Sequence, residues 1–140
     1  MIRVGLFGTT CESKWREELI DKLNLGKISY FNPVVDDWDE SCIKNENREK
    51  KIDDLLLFVI TPEMRGVYSI AEVTHASDTI KQRCIFCPLK EYNGKSFDES
   101  QWRSFKAICK LLKKNDTRIF YNLDDVAKYI NTFAKNENIF

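Results

Sequence analysis

Apolar and polar positions along this chain fall into blocks whose period switches between that of a strand and that of a helix. Ile2 to Phe7 is a short apolar run that ends at Gly8-Thr9-Thr10. Trp15, Leu19, Ile20 and Leu23 then recur at helical spacing, with Gly26 as the expected stop. Ile28 to Val35 reads as a second strand in which Pro33, lacking an N–H, ends regular pairing near Asn32. The charged stretch from Asp36 to Asp54 has few apolar positions and predicts a loop followed by a largely solvated helix. Leu55 to Ile60 is the most hydrophobic segment, and a continuous run without alternation suits a central parallel strand covered on both faces.

Beyond Thr61-Pro62 and a turn at Gly66, a third helix turns Ile70, Val73, Ser77 and Ile80 inward, and Arg83 to Leu89 makes a fourth strand. Trp102, Phe105, Ile108, Cys109 and Leu112 form the clearest amphipathic stripe, started by the cap-like Asp98-x-x-Gln101. Arg118 to Tyr121 is a fifth short strand. Asn122 caps a last helix that buries Val126, Tyr129, Ile130 and Phe133 and frays after Ala134. Strands alternating with helices imply a parallel sheet with right-handed crossovers. The expected architecture is therefore α/β, a flavodoxin-like three-layer sandwich with a five-stranded parallel sheet of order 2-1-3-4-5, in one domain spanning residues 1–140.

Composition narrows the function classes. Lys+Arg and Asp+Glu both total 22, so no net charge advertises a nucleic-acid or membrane partner. No apolar run approaches the ~20 residues that cross a bilayer, and the N-terminal MIRVGLFG is too short for a signal peptide. A cytoplasmic protein is expected. The five cysteines are irregularly spaced. Cys84 and Cys87 form a C-x-x-C, but on a strand residues three apart point to opposite faces, which suits neither a shared metal nor a redox pair. No histidine cluster completes a zinc set, so neither a metal nor a cofactor is expected.

Three loops gather on one edge of such a sheet: Gly8 to Ser13, Asn32 to Trp38 and Thr61 to Ser69. Two readings of Glu72 stand side by side. Ser69-Ile-Ala-Glu72 has the spacing of a capping box; equally, Glu72 in the first turn of a helix facing the cleft has the ionised carboxylate that a nucleophile needs. In the second loop Asn32, Asp36, Asp37 and Trp38 could serve a planar basic ligand, the ring to stack and an acid to protonate it; the alternative is a solvated Asx turn with the Trp folded on the core. Gly8, Thr9 and Thr10 offer backbone N–H groups to an anionic or hydroxyl-rich group. Cys11 and His75 are weaker candidates, and Tyr68 is the better source of a site hydroxyl.

With these residues laid out, the chain resembles the nucleoside 2-deoxyribosyltransferase-like family. The resemblance rests on Gly8-Thr9 followed by Trp15-Arg16-Glu17-Glu18-Leu19, on Tyr30 to Trp38 (YFNPVVDDW), and on Asp54 to Glu72 with its ITPEMRGVYSIAE core. It implies cleavage or exchange of the N-glycosidic bond of a (deoxy)nucleoside or nucleotide, with Glu72 attacking the anomeric carbon to give a glycosyl-enzyme that a second base or water resolves. The roles implied are Glu72 as nucleophile, Asp37 or Asp36 as acid, Tyr68 as site hydroxyl, and Trp38 and Met64 as base contacts. Gly8, Thr9, Thr10, Asn32, Thr61, Gly66 and Ser69 complete the substrate-binding set, and a homo-oligomer is implied. The alternative is a nucleotide-binding module of the same fold without turnover. Two positions depart from the family pattern: Phe7-Gly8 stands where a tyrosine follows strand one, and Arg65-Gly66 stands where an aspartate precedes the nucleophile.

Overall fold

In this computed structural model the elements follow the order β1 (Ile2–Gly8), α1 (Trp15–Ile20), β2 (Ile28–Phe31), α2 (Glu40–Ile52), β3 (Leu55–Ile60), α3 (Tyr68–Thr79), β4 (Cys84–Pro88), β5 (Glu91–Tyr92), β6 (Lys95–Ser96), α4 (Glu99–Lys113), β7 (Arg118–Ile119) and α5 (Leu123–Glu137). The structure describes residues 1–10, 12–34, 39–80 and 83–137. Five strands form one all-parallel sheet in the order β2-β1-β3-β4-β7, which, counted within the sheet, is the expected 2-1-3-4-5. β3 lies at its centre with all six residues buried.

Both faces of the sheet are covered. On one, Trp15 and Leu19 of α1 and Val126 and Ile130 of α5 pack on Val4, Leu6, Leu57 and Val59. On the other, Val73 and Ala76 of α3 and Phe105, Cys109 and Leu112 of α4 pack on Phe7, Phe58 and Phe86. Strand alternation sends Cys84 to the second layer and Cys87 to the first. Burial pushes these thiols up to about 11 and about 12, so both are core residues rather than nucleophiles.

Several expected boundaries move. α1 stops at Ile20, well before Gly26, and Leu23 reaches the core through successive turns, its N–H donating to the Ile20 carbonyl at 3.1 Å. Pairing of β2 ends at Phe31. α5 continues past Ala134 to Glu137 because Ala134 is itself packed, 1% exposed. An antiparallel hairpin, β5–β6, adds to the five strands. Asn93 and Gly94, at φ 52° and 76°, make its two-residue turn, a sequence pair suited to positive φ. The expected caps of the last two helices do form: Asp98 and Gln101 close a capping box, and Asn122 Oδ1 accepts from the Asp125 N–H at 2.8 Å.

This order places a topological switch between β1 and β3. The chain leaves β1 toward one edge of the sheet and β3 toward the other, and the crevice beyond their carboxyl ends is where open α/β sheets bind ligands.

Candidate functional site

A cavity of about 260 Å³ occupies that crevice. Gly8, Thr9 and Thr10 line it from the end of β1, Pro33 and Val34 from the loop after β2, and Met64, Arg65, Gly66, Tyr68 and Ser69 from the β3–α3 connection. Two carboxylates complete it, Glu46 from α2 and Glu72 from α3. The three loops expected at one edge thus meet around one opening.

The β1 wall is held by backbone and by a buried cation. Gly8 has φ 121°, and a Cβ there would fall 2.0 Å from the Val59 carbonyl oxygen, so only glycine lets β1 finish this close to β3. The Thr9 N–H donates to the Val59 carbonyl at 2.9 Å, and Thr9 Oγ1 accepts from the Thr61 N–H at 3.0 Å, which ties the first loop to the third. Trp15 Nε1 donates to the Thr9 carbonyl at 2.8 Å. Arg16, 3% exposed, donates to the carbonyls of Leu6, Thr9 and Gly8 at 2.9, 2.7 and 3.4 Å. Burial lowers its guanidinium to about 10, against the pull of nearby Glu46, and it stays charged at neutral pH.

Glu72 does not cap its helix. α3 begins at Tyr68 after Val67 with no side-chain cap, so Glu72 falls in the second turn rather than the first. The capping-box spacing from Ser69 fails because the helix starts one residue before the serine. Instead the Glu72 carboxylate accepts from Lys50 Nζ of α2. The pair is nearly enclosed, with side chains 9% and 11% exposed, and Lys50 Nζ lies 5.2 Å from the centroid of the Phe7 ring.

Other expected site residues separate into two groups. Gly8, Thr9, Thr10, Met64, Gly66, Tyr68, Ser69 and Glu72 line the cavity. Asn32 does not: it is exposed, and its Oδ1 accepts from the Val34 N–H at 3.1 Å in an Asx turn. Thr61 is fully buried behind the cavity wall, its hydroxyl donating to Glu63 at 3.1 Å. Asp36, Asp37, Trp38 and Cys11 lie outside the described residues. His75 sits on the exposed side of α3, in a groove against α2.

Charged residues that the sequence pattern left unassigned complete the geometry. Arg16, Glu46 and Lys50 each stand among other charges on helices, and only packing distinguishes them from solvated neighbours. Glu63 is a fourth. Burial works against its charge, yet donation from Ser13, Asn93 (3.4 Å) and Thr61 holds its carboxyl below the usual range. It joins the β1 loop, the β3 loop and the β5–β6 turn behind the site.

Comparison with curated proteins and with solved structures returns no match. A model of the family described as nucleoside 2-deoxyribosyltransferase like matches residues 2–91. That span is more than half of the chain and carries β1 to β4 and every residue lining the cavity. Sheet order, crevice and matched span agree, and the chain belongs to the nucleoside 2-deoxyribosyltransferase like family.

Proposed function

We propose that this protein breaks the N-glycosidic bond of a (deoxy)nucleoside or nucleotide, as a transferase or hydrolase, through a covalent glycosyl-Glu72 intermediate. The observation that carries the reading is the Glu72 carboxylate in the wall of a cavity at the switch point, in company with a second carboxylate, Glu46. The cavity volume, just below the ~300–1,000 Å³ common for small-molecule sites, suits a nucleoside-sized ligand.

In the first step a Glu72 oxygen bonds the anomeric carbon as the carbon–nitrogen bond breaks. The electron pair leaves with the base, which takes a proton from an acid. Asp37 and Asp36 are the candidate acids from the second loop, while Glu46, an anion beside Arg16, can accept from a sugar hydroxyl. Water or a second base then displaces Glu72, so that two inversions leave the configuration unchanged. Met64 and Trp38 are assigned to the base, Gly8 to Thr10 with Gly66 and Ser69 to the sugar or phosphate, and Tyr68 supplies a hydroxyl beside the nucleophile. Val34, Val67 and Tyr68, at 49%, 67% and 55% exposure around the site, suit cover by a second copy of the chain.

Incubation with deoxynucleosides and their monophosphates, followed by chromatography of free base, tests the reading. Wild type should release base and Glu72→Gln should not. A nucleotide bound at measurable affinity but unchanged after long incubation would convert the assignment to a binding module.

A further inference from the structure

Glu72 is held by a residue on a different helix, and this contact has consequences for its chemistry. We infer that Lys50 is the positioning residue of Glu72: it grips Oε2 and leaves Oε1 to face the anomeric carbon. The inference rests on the reading of Glu72 as the nucleophile and adds a second residue to it.

Three observations converge on Lys50. It is the one lysine of α2 that is buried, 9% exposed, on a helix otherwise rich in solvated charge. Side chains in a helix lean toward its N-terminus, so the Lys50 stem rises from the last turns of α2 toward the carboxyl edge of the sheet, over the Phe7 ring and onto Glu72. Its backbone is also anchored, with Arg83 donating to the Lys50 carbonyl at 3.4 Å and to the Asp53 carbonyl at 2.7 Å. Among the described residues Lys50 is the ion-pair partner of Glu72. The aromatic ring at position 7 offers its face to the ammonium, and among the described residues Lys50 is the side chain that hydrogen-bonds the Glu72 carboxylate.

The pair acts in both half-reactions. When Oε1 bonds the anomeric carbon and the base departs with the carbon–nitrogen electron pair, Glu72 becomes a neutral ester and Lys50, its side chain 11% exposed, loses its counter-charge. When water or a second base attacks, the carbon–oxygen bond breaks and its electron pair returns to Glu72, where the ammonium stabilises it. Lys50 therefore aims the attack and favours departure of the carboxylate, and its effect belongs in turnover rather than in substrate affinity.

The groove between α2 and α3, about 500 Å³, reaches Lys50 and Glu72 from the side away from the loops, past Asn47, His75 and Thr79. A small amine can enter it. Lys50→Ala should lower base release about a hundredfold, chiefly in kcat, as expected for a misaligned nucleophile. Added ethylammonium should restore part of the rate with saturation, and should restore nothing to Glu72→Gln. Lys50→Met, which keeps the stem packed on Phe7 but strands the Glu72 carboxylate, should melt lower than wild type and show the same loss when assayed well below its own melting temperature. Wild-type kcat in Lys50→Met, or a loss in Lys50→Ala that ethylammonium leaves untouched, overturns the role of Lys50 while base release by wild type keeps Glu72 as nucleophile. Wild type that releases no base overturns both.

Discussion

Helix α2 contributes to two ionic clusters, one nearly enclosed and one partly buried, that serve opposite edges of the sheet. Toward the carboxyl edge, Lys50 meets one carboxylate, Glu72, beside an open cavity. Toward the amino edge, one residue earlier, Glu49 joins Asp53 in sharing the single guanidinium of Arg3. Arg3 donates to both oxygens of Glu49, at 3.1 and 2.9 Å, and lies 3.2 Å from Asp53 Oδ1 without donating to it. Asp53 is 0% exposed, sits against Gly5 where a side chain would collide with it, and among the described residues has no hydrogen-bond donor on either oxygen. Burial, and then the neighbouring Glu49, raise its carboxyl to about 7, whereas donation from Arg3 holds Glu49 below its ordinary value. Below about pH 7 the amino-edge pair thus holds one charged and one protonated acid, the outcome when two carboxylates compete for one cation. Burial alone does not mark a carboxylate as reactive. What separates Glu72 from Asp53 is a hydrogen bond from its cation and an opening to a ligand.

Substitution can break this contrast at either edge. The largest expected effect is on Glu72→Gln, which should cut base release by about 10⁴-fold, as loss of a nucleophile does, while Glu49→Gln leaves the rate alone. The amide keeps an acceptor for Lys50 but not its counter-charge, so Glu72→Gln should lower the melting temperature, and less than Glu72→Ala, which leaves the ammonium with neither.

Next in size is Arg16→Met. It removes donors from three carbonyls at the end of β1 and should cost about 3 kcal/mol in urea unfolding. Retention of full stability would show that the β1 wall stands without the guanidinium.

Asp53→Asn then tests the amino edge through pH. Folded, Asp53 keeps its proton up to about pH 7; unfolded, it loses it near the ordinary value of 3.8. The folded state binds the extra proton between those values, so this contribution is fully present below about pH 4 and is lost as pH rises through about 7. The asparagine cannot ionise, and should flatten this decline and exceed wild type by about 1–2 kcal/mol at pH 8, with a smaller difference at pH 5. A parallel pair of stability–pH curves would refute the protonated Asp53. The smallest effect belongs to Asn32→Ala, which removes an exposed Asx turn and should cost about 0.5 kcal/mol or less, with base release unchanged.

Much of this architecture is written locally. The continuous run Leu55 to Ile60 implies a strand buried on both faces because no other element hides six consecutive apolar side chains so briefly, and it became β3. Asp98 with Gln101 and Asn122 with Asp125 bond within one turn, so spacing suffices to foresee them. The same holds for Cys84 and Cys87, whose separation on a strand decides that they face different layers. The gathering of Gly8 to Thr10, Pro33 to Val34 and Met64 to Ser69 follows from strand order alone.

Tertiary structure decided which charges matter. Ser69 and Glu72 have the spacing of a capping box, yet the helix begins at Tyr68 and the carboxylate turns to Lys50, 22 residues away. Arg16 and Glu46 look in the sequence like any solvated helical charge; packing buries the first under three carbonyls and brings the second into the cavity wall. The reason is physical. Hydrophobic period and local hydrogen bonds are set by neighbours within a few residues, and a sequence displays those neighbours. The fate of a charge depends on its desolvation and on the partner it meets once distant segments pack, and that is settled only when α2 and α3 lie side by side over Phe7.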